Sequence, residues 1–366
     1  MRILHVIPQL WRGNGAAKIV KDLVDYQITH GNLVTVVSLS IMSPSYEKDL
    51  KELGCEVIYL ENRRYSLYNP KFFFQLRKII KEFDIVHVHL FPALYWVALA
   101  KYFSSASCKL VLTEHSTFNN RQSFKILKPI ERFIYSKYDA IVAISEGVSL
   151  FFKSYLGNKY QFFVINNGVN VKNIRQCEII GREQLNLSSQ AKLIVQIGRF
   201  YPQKDQKTLI KALALLPDDF YVLFVGDGPL LDEYQKLAQY YNLSKRILFL
   251  SVREDAISIL KASDIVVMSS NFEGFGLAAV EGMAAGKPVI ASDVEGLSNI
   301  VEGAGLLFEP HNEKDLAAKI RQLMEDKLFY KSVSERCKQR SEKYDVSVMG
   351  YHYNELYQSL LNDYKL

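Results

Sequence analysis

Short runs of β-branched and apolar residues alternate with helix-length segments along almost the whole sequence. Runs of this kind, with helices between them, are typical of parallel sheets that are covered on both faces. A polar stretch at 169–190 interrupts the pattern, which then starts again. The sequence therefore predicts two doubly wound α/β domains in tandem. The predicted strands are 3–7, 33–39, 56–60, 84–90, 109–115, 140–145 and 162–168 in the first domain, and 193–198, 221–226, 247–251, 264–269, 288–292 and 305–310 in the second.

The length of 366 residues agrees with this division, because it exceeds what one hydrophobic core usually serves. We expect an N-terminal Rossmann-like domain over 1–168 and a C-terminal one over 169–345. The last segment, 346–366, has apolar residues at helical spacing, which predicts a helix. These residues are Val348, Tyr351, Leu356 and Leu360. The pattern alone leaves two placements open, since the helix can pack on the second domain or cross back to the first.

Composition excludes several classes of protein. Hydrophobic residues make up 49% and charged residues 23%, as in ordinary globular proteins, and a net charge of +6 is too small for a dedicated nucleic-acid-binding protein. The four cysteines contain no CxxC pair, so the sequence favours a reducing compartment over a disulfide framework or a zinc site. The first residues fit a strand rather than a signal peptide, and no apolar run approaches the roughly 18 residues of a membrane span. We expect a cytoplasmic protein, and any membrane contact must be peripheral.

Two loops that follow predicted strands carry groups suited to binding an anion, since ligands of open α/β sheets lie beyond the carboxyl ends of the strands. In the first loop, Gly13 and Gly15 precede a helix, so either an anion contact or a purely conformational turn fits. In the second loop, Arg199 and Lys204 stand five residues apart. They would neutralise a diphosphate if they converge, but ordinary solvated cations also fit the pattern.

The segment 269–293 carries the most functional information. Glu273 follows a predicted strand directly, and Glu281 lies eight residues later on a helix that opens near residues 275–277. At ~1.5 Å per residue the two carboxylates are ~12 Å apart along a helix, which exceeds the separation of a paired acid and base in glycosidases. The spacing favours separate roles. Glu273 would contact the reacting end of a ligand, and the N–H groups of 275–277 would contact its anionic or hydroxyl oxygens. Glu281 would accept hydrogen bonds from a diol such as a ribose.

Most of the chain resembles the retaining glycosyltransferases of family 4, which have the GT-B fold. That family carries a glutamate, seven intervening residues and a second glutamate, followed by a G-x-P-V-I-A strand. Several further segments occur in the family's order. Besides the early glycine turn, they are TEH at 113–115, INNGVN at 165–170, GRFYPQKD at 198–205, VGDGP at 225–229, EGFGLAAVE at 273–281 and the C-terminal YDVSVMGYHYNELY. Each segment is a weak signal alone, but all of them in order are specific.

The resemblance implies two Rossmann-like domains that face each other across a cleft, with the C-terminal helix crossing back to the first domain. It also implies a nucleotide-sugar donor held mainly by the second domain, and it assigns roles to single residues. These are Arg199, Lys204, Gly15 and Leu277 at the donor diphosphate, Glu281 at the ribose, Glu273, Phe275 and Gly276 at the donor sugar, and Glu273 with His115 as the catalytic residues.

The sequence departs from the family pattern in two places. The glycine turn of the family usually reads G-G-A-E, whereas this chain has Asn14 in place of the first glycine and Ala17 in place of the acid. The resemblance therefore does not carry over any acceptor or helix contact made by that acid. Glu295 stands where a glycine is usual and Asn299 where a glutamate is usual. These changes bear on donor or acceptor preference and leave the predicted phosphate-binding residues intact.

We expect neither a cofactor nor a metal ion. The sequence has no D-x-D run, and the nearest pattern is Asp293-x-Glu295. His87 and His89 share one strand face, but no third ligand accompanies them in the sequence, so we expect them to be packing residues. The resemblance implies retention at the anomeric carbon by front-face attack, without an enzyme nucleophile. We favour a UDP-sugar over a GDP-sugar as the donor.

The acceptor is expected on the first domain, where the charge is uneven. Residues 1–170 hold 21 basic and 13 acidic residues, whereas 171–366 hold 24 and 26. Two basic amphipathic segments, 62–83 and 124–139, suit an anionic bilayer surface or a lipid-linked pyrophosphate acceptor. Ordinary solvated helix faces explain them equally well.

These observations predict a glycosyltransferase that moves a hexose-type sugar from a nucleoside-diphosphate sugar to a glycan or lipid-linked acceptor, in bacterial surface polysaccharide assembly. Two alternatives remain. One is a GT-B-fold sugar-nucleotide epimerase, which product analysis would distinguish. The other is a non-catalytic nucleotide-sugar-binding subunit, which the presence of both glutamates, the Arg/Lys pair and His115 disfavours.

Overall fold

The computed structural model describes residues 1–63, 67–116, 125–157 and 159–362. In these residues the chain forms two compact units, each built on one parallel sheet. One unit takes Met1–Gly168 and Val346–Leu366, and the other takes Val169–Asp345. Four residues of the basic segments, Arg64, Tyr65, Ser66 and Phe124, lie outside the described residues.

The sheet of the first unit is fully parallel. Its strands are β1 (Arg2–Ile7), β2 (Leu33–Ser38), β3 (Glu56–Tyr59), β4 (Ile85–His89), β5 (Lys109–Glu114), β6 (Ala140–Ala143) and β7 (Phe162–Val164). Their order in the sheet is β3-β2-β1-β4-β5-β6-β7, so the direction of winding reverses between β1 and β4. At this point Ile3 pairs with Val34 on one side and with Ile85 on the other. Ligands of doubly wound sheets bind at such a reversal.

Helices connect these strands. They are α1 (Gly15–Thr29), α2 (Glu47–Glu52), α3 (Lys71–Ile79), α4 (Ala93–Tyr102), α5 (Lys128–Tyr135) and α6 (Glu146–Leu156), with 3₁₀ turns at Ile80–Glu82 and Lys125–Leu127. Local sequence explains where some of them begin. The Asn14 side chain accepts a hydrogen bond from the Ala16 N–H at the start of α1, and Ser145 does the same for Val148 at the start of α6.

The second unit repeats the arrangement with six strands. They are β8 (Lys192–Ile197), β9 (Phe220–Val225), β10 (Ile247–Leu250), β11 (Ile265–Met268), β12 (Val289–Ser292) and β13 (Leu306–Phe308). The order in this sheet is β10-β9-β8-β11-β12-β13, and the direction of winding reverses between β8 and β11. Each of the strand segments that the sequence predicts is a strand in one of the two sheets.

The helices of the second unit begin inside the polar stretch that interrupts the strand pattern. They are α7 (Val171–Gln176), α8 (Gln206–Leu213), α9 (Leu231–Tyr240), α10 (Ala256–Ala262), α11 (Leu277–Ala284), α12 (Ser298–Val301), α13 (Glu313–Glu325) and α14 (Lys327–Ser341), with 3₁₀ turns at Arg182–Leu185, Pro202–Lys204 and Glu342–Tyr344. The stretch 169–190 is thus partly helical and belongs to the second unit. No helix within the described ranges is both long enough and apolar enough to cross a bilayer.

The last helix, α15 (Val346–Leu361), packs on the first unit. The Tyr353 hydroxyl lies 2.9 Å from Thr113 Oγ1 of β5, and the Tyr357 hydroxyl lies 2.6 Å from His87 Nδ1 of β4. Crossing back to the first unit is therefore the observed placement.

The buried face of α15 agrees only in part with the face that apolar spacing suggests, since Leu356 of the predicted set is buried. Val348 is 39% exposed and Tyr351 is 55% exposed, whereas Tyr353 and Tyr357 are buried. A tyrosine side chain has an apolar ring and a polar hydroxyl, so its hydrophobicity is compatible with either a buried or an exposed face. The buried face is the one whose hydroxyls find hydrogen-bond partners inside the first unit, because an unpaired buried hydroxyl is costly.

Candidate functional site

The predicted donor-binding residues of the second unit stand in the loops that leave β8 and β11. These strands are neighbours at the reversal of strand order. Arg199 and Lys204 follow β8, and Glu273 follows β11. The topology therefore brings two loops, which are distant in sequence, to one edge of the sheet.

Lys204 and Glu273 form an ion pair across the two loops, through Lys204 Nζ and Glu273 Oε1. The Ser270 hydroxyl donates a second hydrogen bond of 2.8 Å to the same carboxylate oxygen. The side chain of Glu273 is only 8% exposed and that of Lys204 is 20% exposed. A buried pair of this kind holds its geometry tightly, because removing either partner leaves an uncompensated charge with little water around it.

The backbone of Lys204 is tied to both strands. Its carbonyl oxygen accepts hydrogen bonds from Gln196 Nε2 of β8 at 2.9 Å and from Ser269 Oγ, directly after β11, at 3.1 Å. Ser269 Oγ also lies 2.8 Å from the Asp205 carbonyl oxygen. The ammonium group is consequently carried by a loop that is fixed at its base, and only the flexible stem of the side chain is left to move.

A third loop, after β12, closes against Glu273. The Glu273 N–H donates to the Glu295 carbonyl oxygen at 3.4 Å. Gly296 has a φ of +86°, and a Cβ there would lie 2.0 Å from the Glu273 carbonyl oxygen. Only glycine permits this approach. The backbone therefore requires glycine at position 296, directly after Glu295, which stands where the family usually has a glycine.

Helix α11 begins directly after Glu273. Gly276 precedes its first residue, Leu277, in the left-handed conformation with a φ of +93°, and no side chain caps this end. The Phe275 ring packs edge-on against Tyr344 with 5.4 Å between the ring centroids, so its side chain is internal. The backbone N–H groups of 275–277 are what this turn can offer to an anion or a hydroxyl. Glu281 lies one further turn along α11 and is buried.

Arg199 is exposed in the same loop as Lys204. Its guanidinium carbon lies 4.2 Å from the centroid of the Tyr201 ring, which is a cation–π contact. This stacking orients the planar guanidinium group at the edge of the sheet, and Arg199 stays accessible to solvent.

The remaining predicted residues belong to the first unit. Gly15 is the exposed first residue of α1, directly after the Asn14 cap. Asn14, which departs from the family pattern, is thus a helix-capping residue. His115 follows β5 and is half-buried. Its Nε2 lies 3.1 Å from His89 Nδ1, and burial lowers the pKa of the His115 imidazole below its usual value.

The expectation that His87 and His89 lack a third companion is wrong. His5 of β1 pairs with His87 in the sheet register, and His5 Nδ1 lies 3.0 Å from His89 Nε2. Among the described residues, His5, His87 and His89 are the one group of three potential metal ligands with ligand atoms within 4.8 Å of one another. The sequence shows His5 in a strand, but it does not show that β1 lies beside β4.

Hydrogen bonds already occupy both nitrogens of each of these three rings. His87 Nε2 lies 2.6 Å from Thr113 Oγ1, and His5 Nε2 lies 2.8 Å from Gln27 Oε1. The other partners are His89, His115 and Tyr357. Burial lowers the pKa of all three rings, that of His5 to about 4. The expectation that His87 and His89 pack structurally therefore agrees with a filled, neutral hydrogen-bond network.

Two family models match the chain. The model described as Glycosyl transferases group 1 matches residues 179–344, and the model described as Glycosyltransferase Family 4 matches residues 13–173. An uncharacterized glycosyltransferase of Methanocaldococcus jannaschii is 32% identical over 278 residues, which is 73% of this chain and 73% of that protein.

Two further similarities extend over nearly the whole chain. The N,N'-diacetylbacillosaminyl-diphospho-undecaprenol alpha-1,3-N-acetylgalactosaminyltransferase of Campylobacter jejuni is 25% identical over 350 residues, covering 89% of this chain and 92% of that one. The crystal structure of Anabaena HepE in complex with UDP and glucose has a TM-score of 0.85 at 22% identity, and it covers 98% of this chain and 100% of that one. The fold class predicted from the sequence is confirmed.

Proposed function

The chain belongs to the glycosyltransferases of family 4, and from this premise we propose that it is a retaining, metal-independent enzyme that transfers a hexose from a nucleoside-diphosphate sugar. The observation that carries the proposal is the Lys204–Glu273 ion pair at the strand reversal of the second unit. A cation and a carboxylate held side by side suit a ligand that is anionic at one end and rich in hydroxyls at the other.

Each partner of this ion pair has its own role when a donor binds. The diphosphate takes Lys204, because an ammonium group binds phosphate oxygens strongly. Glu273 keeps its bond from Ser270 and accepts a hydrogen bond from a hydroxyl of the donor sugar instead. The ion pair thus keeps both side chains in place before binding. When the donor binds, Lys204 exchanges the carboxylate for a phosphate, and Glu273 exchanges the ammonium group for a sugar hydroxyl.

The reaction breaks the bond between the anomeric carbon and the diphosphate and forms a bond from that carbon to an acceptor hydroxyl oxygen. The acceptor proton passes to the departing phosphate oxygen. Negative charge grows on the diphosphate as it leaves, so fixed cations and N–H dipoles stabilise the transition state most. Lys204, Arg199 and the N–H groups at Gly276 and Leu277 supply this stabilisation in the proposal, with Gly15 as a further diphosphate contact.

Other residues determine which donor fits. Glu281 accepts hydrogen bonds from the ribose hydroxyls, and Phe275 and Gly276 contact the donor sugar through their backbone. His115 of the first unit is the second catalytic residue, at the donor sugar. We favour a UDP-sugar, and the binding of UDP and glucose by HepE, which has a similar fold, supports this choice.

The test is a donor screen. We expect UDP-sugars to raise the Tm of the protein and to be hydrolysed slowly without acceptor, in the presence of EDTA, more than GDP- or ADP-sugars. Glu281→Gln keeps the shape of the side chain and should weaken UDP binding, whereas Glu335→Gln on the exposed face of α14 should not. Retention is read from the anomeric configuration of the product. Recovery of an epimerised UDP-sugar, or binding without any transfer, would favour one of the two alternatives instead.

The acceptor is proposed to be a glycan or a lipid-linked diphosphate. The C. jejuni relative is named for a diphospho-undecaprenol acceptor. A feature of the first unit supports an acceptor at a membrane, namely a continuous set of rings that we call the aromatic surface. It consists of Phe73, Phe74, Tyr102, Phe103 and Phe133.

The aromatic surface runs across α3, the end of α4 and α5. In the order Phe74, Phe73, Phe103, Tyr102 and Phe133, neighbouring ring centroids lie 5.0 Å, 6.0 Å, 4.9 Å and 5.5 Å apart. Phe74 is 62% exposed and Phe103 is 55% exposed, although burying such rings is favourable. Lys137 Nζ lies 4.4 Å from two of the ring centroids. Phe74, Lys78 and Lys81, on α3 and on the 3₁₀ turn that follows it, are exposed.

Rings beside cations suit the interface of an anionic bilayer, since the rings enter the headgroup region and the cations meet lipid phosphates. We therefore propose peripheral contact with the inner face of the cell membrane through this surface. Vesicles with anionic lipid should sediment the protein at low salt, and a Phe74→Ser, Phe103→Ser double variant should bind at least roughly tenfold more weakly. Tyr240→Ser, which removes a 78% exposed ring from the second unit, is the matched control. Absence of vesicle binding by the wild type would refute the membrane contact.

A further inference from the structure

Four side chains of the first unit form one line of hydrogen bonds that ends at His115, and we call this line the histidine relay. It consists of Gln27, His5, His89 and His115. Gln27 Oε1 lies 2.8 Å from His5 Nε2, His5 Nδ1 lies 3.0 Å from His89 Nε2, and His89 Nδ1 lies 3.1 Å from His115 Nε2. The first three members are fully buried, and His115 is half-buried.

The relay has no charged member. Burial lowers the pKa of His5 to about 4 and holds the pKa of His89 well below its usual range. The titratable groups that act on His89 electrostatically are the other histidines, which lower its pKa further. The nearby branch through His87 ends on hydroxyls, those of Thr113 and Tyr357. Each ring of the relay is therefore a neutral imidazole at neutral pH, with one N–H donor and one acceptor nitrogen.

The amide at the buried end gives the relay a direction. A carbonyl oxygen only accepts, so His5 donates from Nε2 to Gln27 and must accept at Nδ1. His89 then donates from Nε2 and accepts at Nδ1, and His115 donates from Nε2. The Gln27 amide nitrogen is buried and has no hydrogen-bond partner among the described residues.

A metal ion is the competing explanation for three clustered histidines. Zinc would need a lone pair from each of His5, His87 and His89 at one point. All six ring nitrogens already have a partner between 2.6 Å and 3.1 Å away, and two of these contacts join one ring to another. Neutral tautomers satisfy every one of these contacts without an ion.

We propose that Gln27 is a positioning residue that acts through His5 and His89 to hold His115 in the Nε2–H tautomer, with the Nδ1 lone pair as its remaining hydrogen-bonding atom. No described residue bonds this atom, so it is left for a ligand. A lone pair accepts a hydrogen bond from a hydroxyl and repels a carboxylate oxygen. If His115 contacts the donor sugar, as the proposed function requires, the relay selects a neutral hexose over the corresponding uronic acid.

The tautomers can be read directly in the free protein by NMR of ¹⁵N-histidine, because the long-range couplings show which ring nitrogen carries the proton. We expect His5, His89 and His115 to be Nε2–H in the wild type. Gln27→Met keeps the length of the side chain but removes the acceptor, so we expect a second His115 signal from the Nδ1–H form. Tyr353→Phe removes a buried hydroxyl that bonds Thr113 rather than the relay, and it should leave the His115 signal unchanged.

An Nδ1–H tautomer at His115 in the wild type would overturn the proposal, and so would a Gln27→Met spectrum identical to that of the wild type. If Gln27→Met does not fold, the wild-type spectrum alone decides. The selectivity is tested separately by calorimetry with UDP-glucose and UDP-galactose against their uronates. We expect the neutral sugars to bind roughly tenfold or more tightly. Equal affinity would overturn the selectivity, whereas no binding by either class would refute the proposed donor and leave the tautomer result standing.

Discussion

Replacing Lys204 by methionine removes the ammonium group while keeping most of the apolar stem. In the proposed mechanism this cation moves from Glu273 to the donor diphosphate. We therefore expect the variant to bind UDP more weakly, because the diphosphate loses a charge-assisted hydrogen bond. Glu273 is also left buried without its counter-ion, and it then repels the incoming phosphates.

The magnitude follows from the burial of the ion pair. The two side chains are 8% and 20% exposed, so water screens their charges only in part. Hydrogen bonds to charged groups are worth about 1.5–3 kcal/mol in such surroundings. This corresponds to a Kd for UDP that is roughly 10- to 150-fold higher in Lys204→Met than in the wild type.

Glu273→Gln should have the opposite effect on binding. The amide keeps an oxygen for the 2.8 Å bond from Ser270 but no longer holds Lys204 by charge. Lys204 is then released at no cost when the diphosphate arrives, so we expect UDP to bind as tightly as in the wild type or up to roughly fivefold more tightly. The rate of transfer should fall roughly 100-fold, since the donor sugar loses its carboxylate partner.

Isothermal titration calorimetry with UDP measures both effects on one scale, and Lys236→Met, on the exposed side of α9, is the matched control for loss of one positive charge. The signature is the opposite direction of the two Kd changes. If Lys204→Met binds UDP as the wild type does, Lys204 does not contact the diphosphate. If Glu273→Gln weakens UDP binding as much as Lys204→Met does, the ion pair is a structural unit rather than an exchangeable one.

Two further predictions concern the first unit, and the emission of Trp11 and Trp96, which both lie in it, reports its unfolding in urea. Burial lowers the pKa of His5 to about 4 in the folded state, whereas a histidine of the unfolded chain takes up a proton below about pH 6.5. Lowering the pH from 7 to 4 therefore favours the unfolded state, and protonation of His5 should reduce the free energy of unfolding by about 3 kcal/mol. In His5→Phe this pH-dependent loss should be absent. If the free energy of unfolding falls in parallel with pH in the wild type and in the variant, the prediction is contradicted. A Cβ at Gly350 of α15 would lie 2.2 Å from Tyr26 Cδ1, so we expect Gly350→Ala to cost about 1–3 kcal/mol, and an unchanged urea midpoint would show that Tyr26 moves aside freely.

The amino-acid sequence by itself determines the two sheets and much of the candidate site. Strands buried on both faces are continuous apolar runs, and helices between them have their own period, so both signals are local. The position of Glu273 after β11 and the opening of α11 at Leu277 follow from the same local pattern. The order of the family segments along the chain also needs no tertiary information.

Only the tertiary structure decides which side chains meet. Lys204 and Glu273 pair because β8 and β11 are neighbours, and His5 joins His87 and His89 because β1 and β4 are neighbours. Strand order depends on how each crossover connection passes over the sheet, and no residue in a strand encodes it locally. For α15, apolar residues lie on the exposed side, as at Val348 and Tyr351, as well as on the buried side. The buried side carries the Tyr353 and Tyr357 hydroxyls, whose partners Thr113 and His87 come together only once the sheet of the first unit has formed.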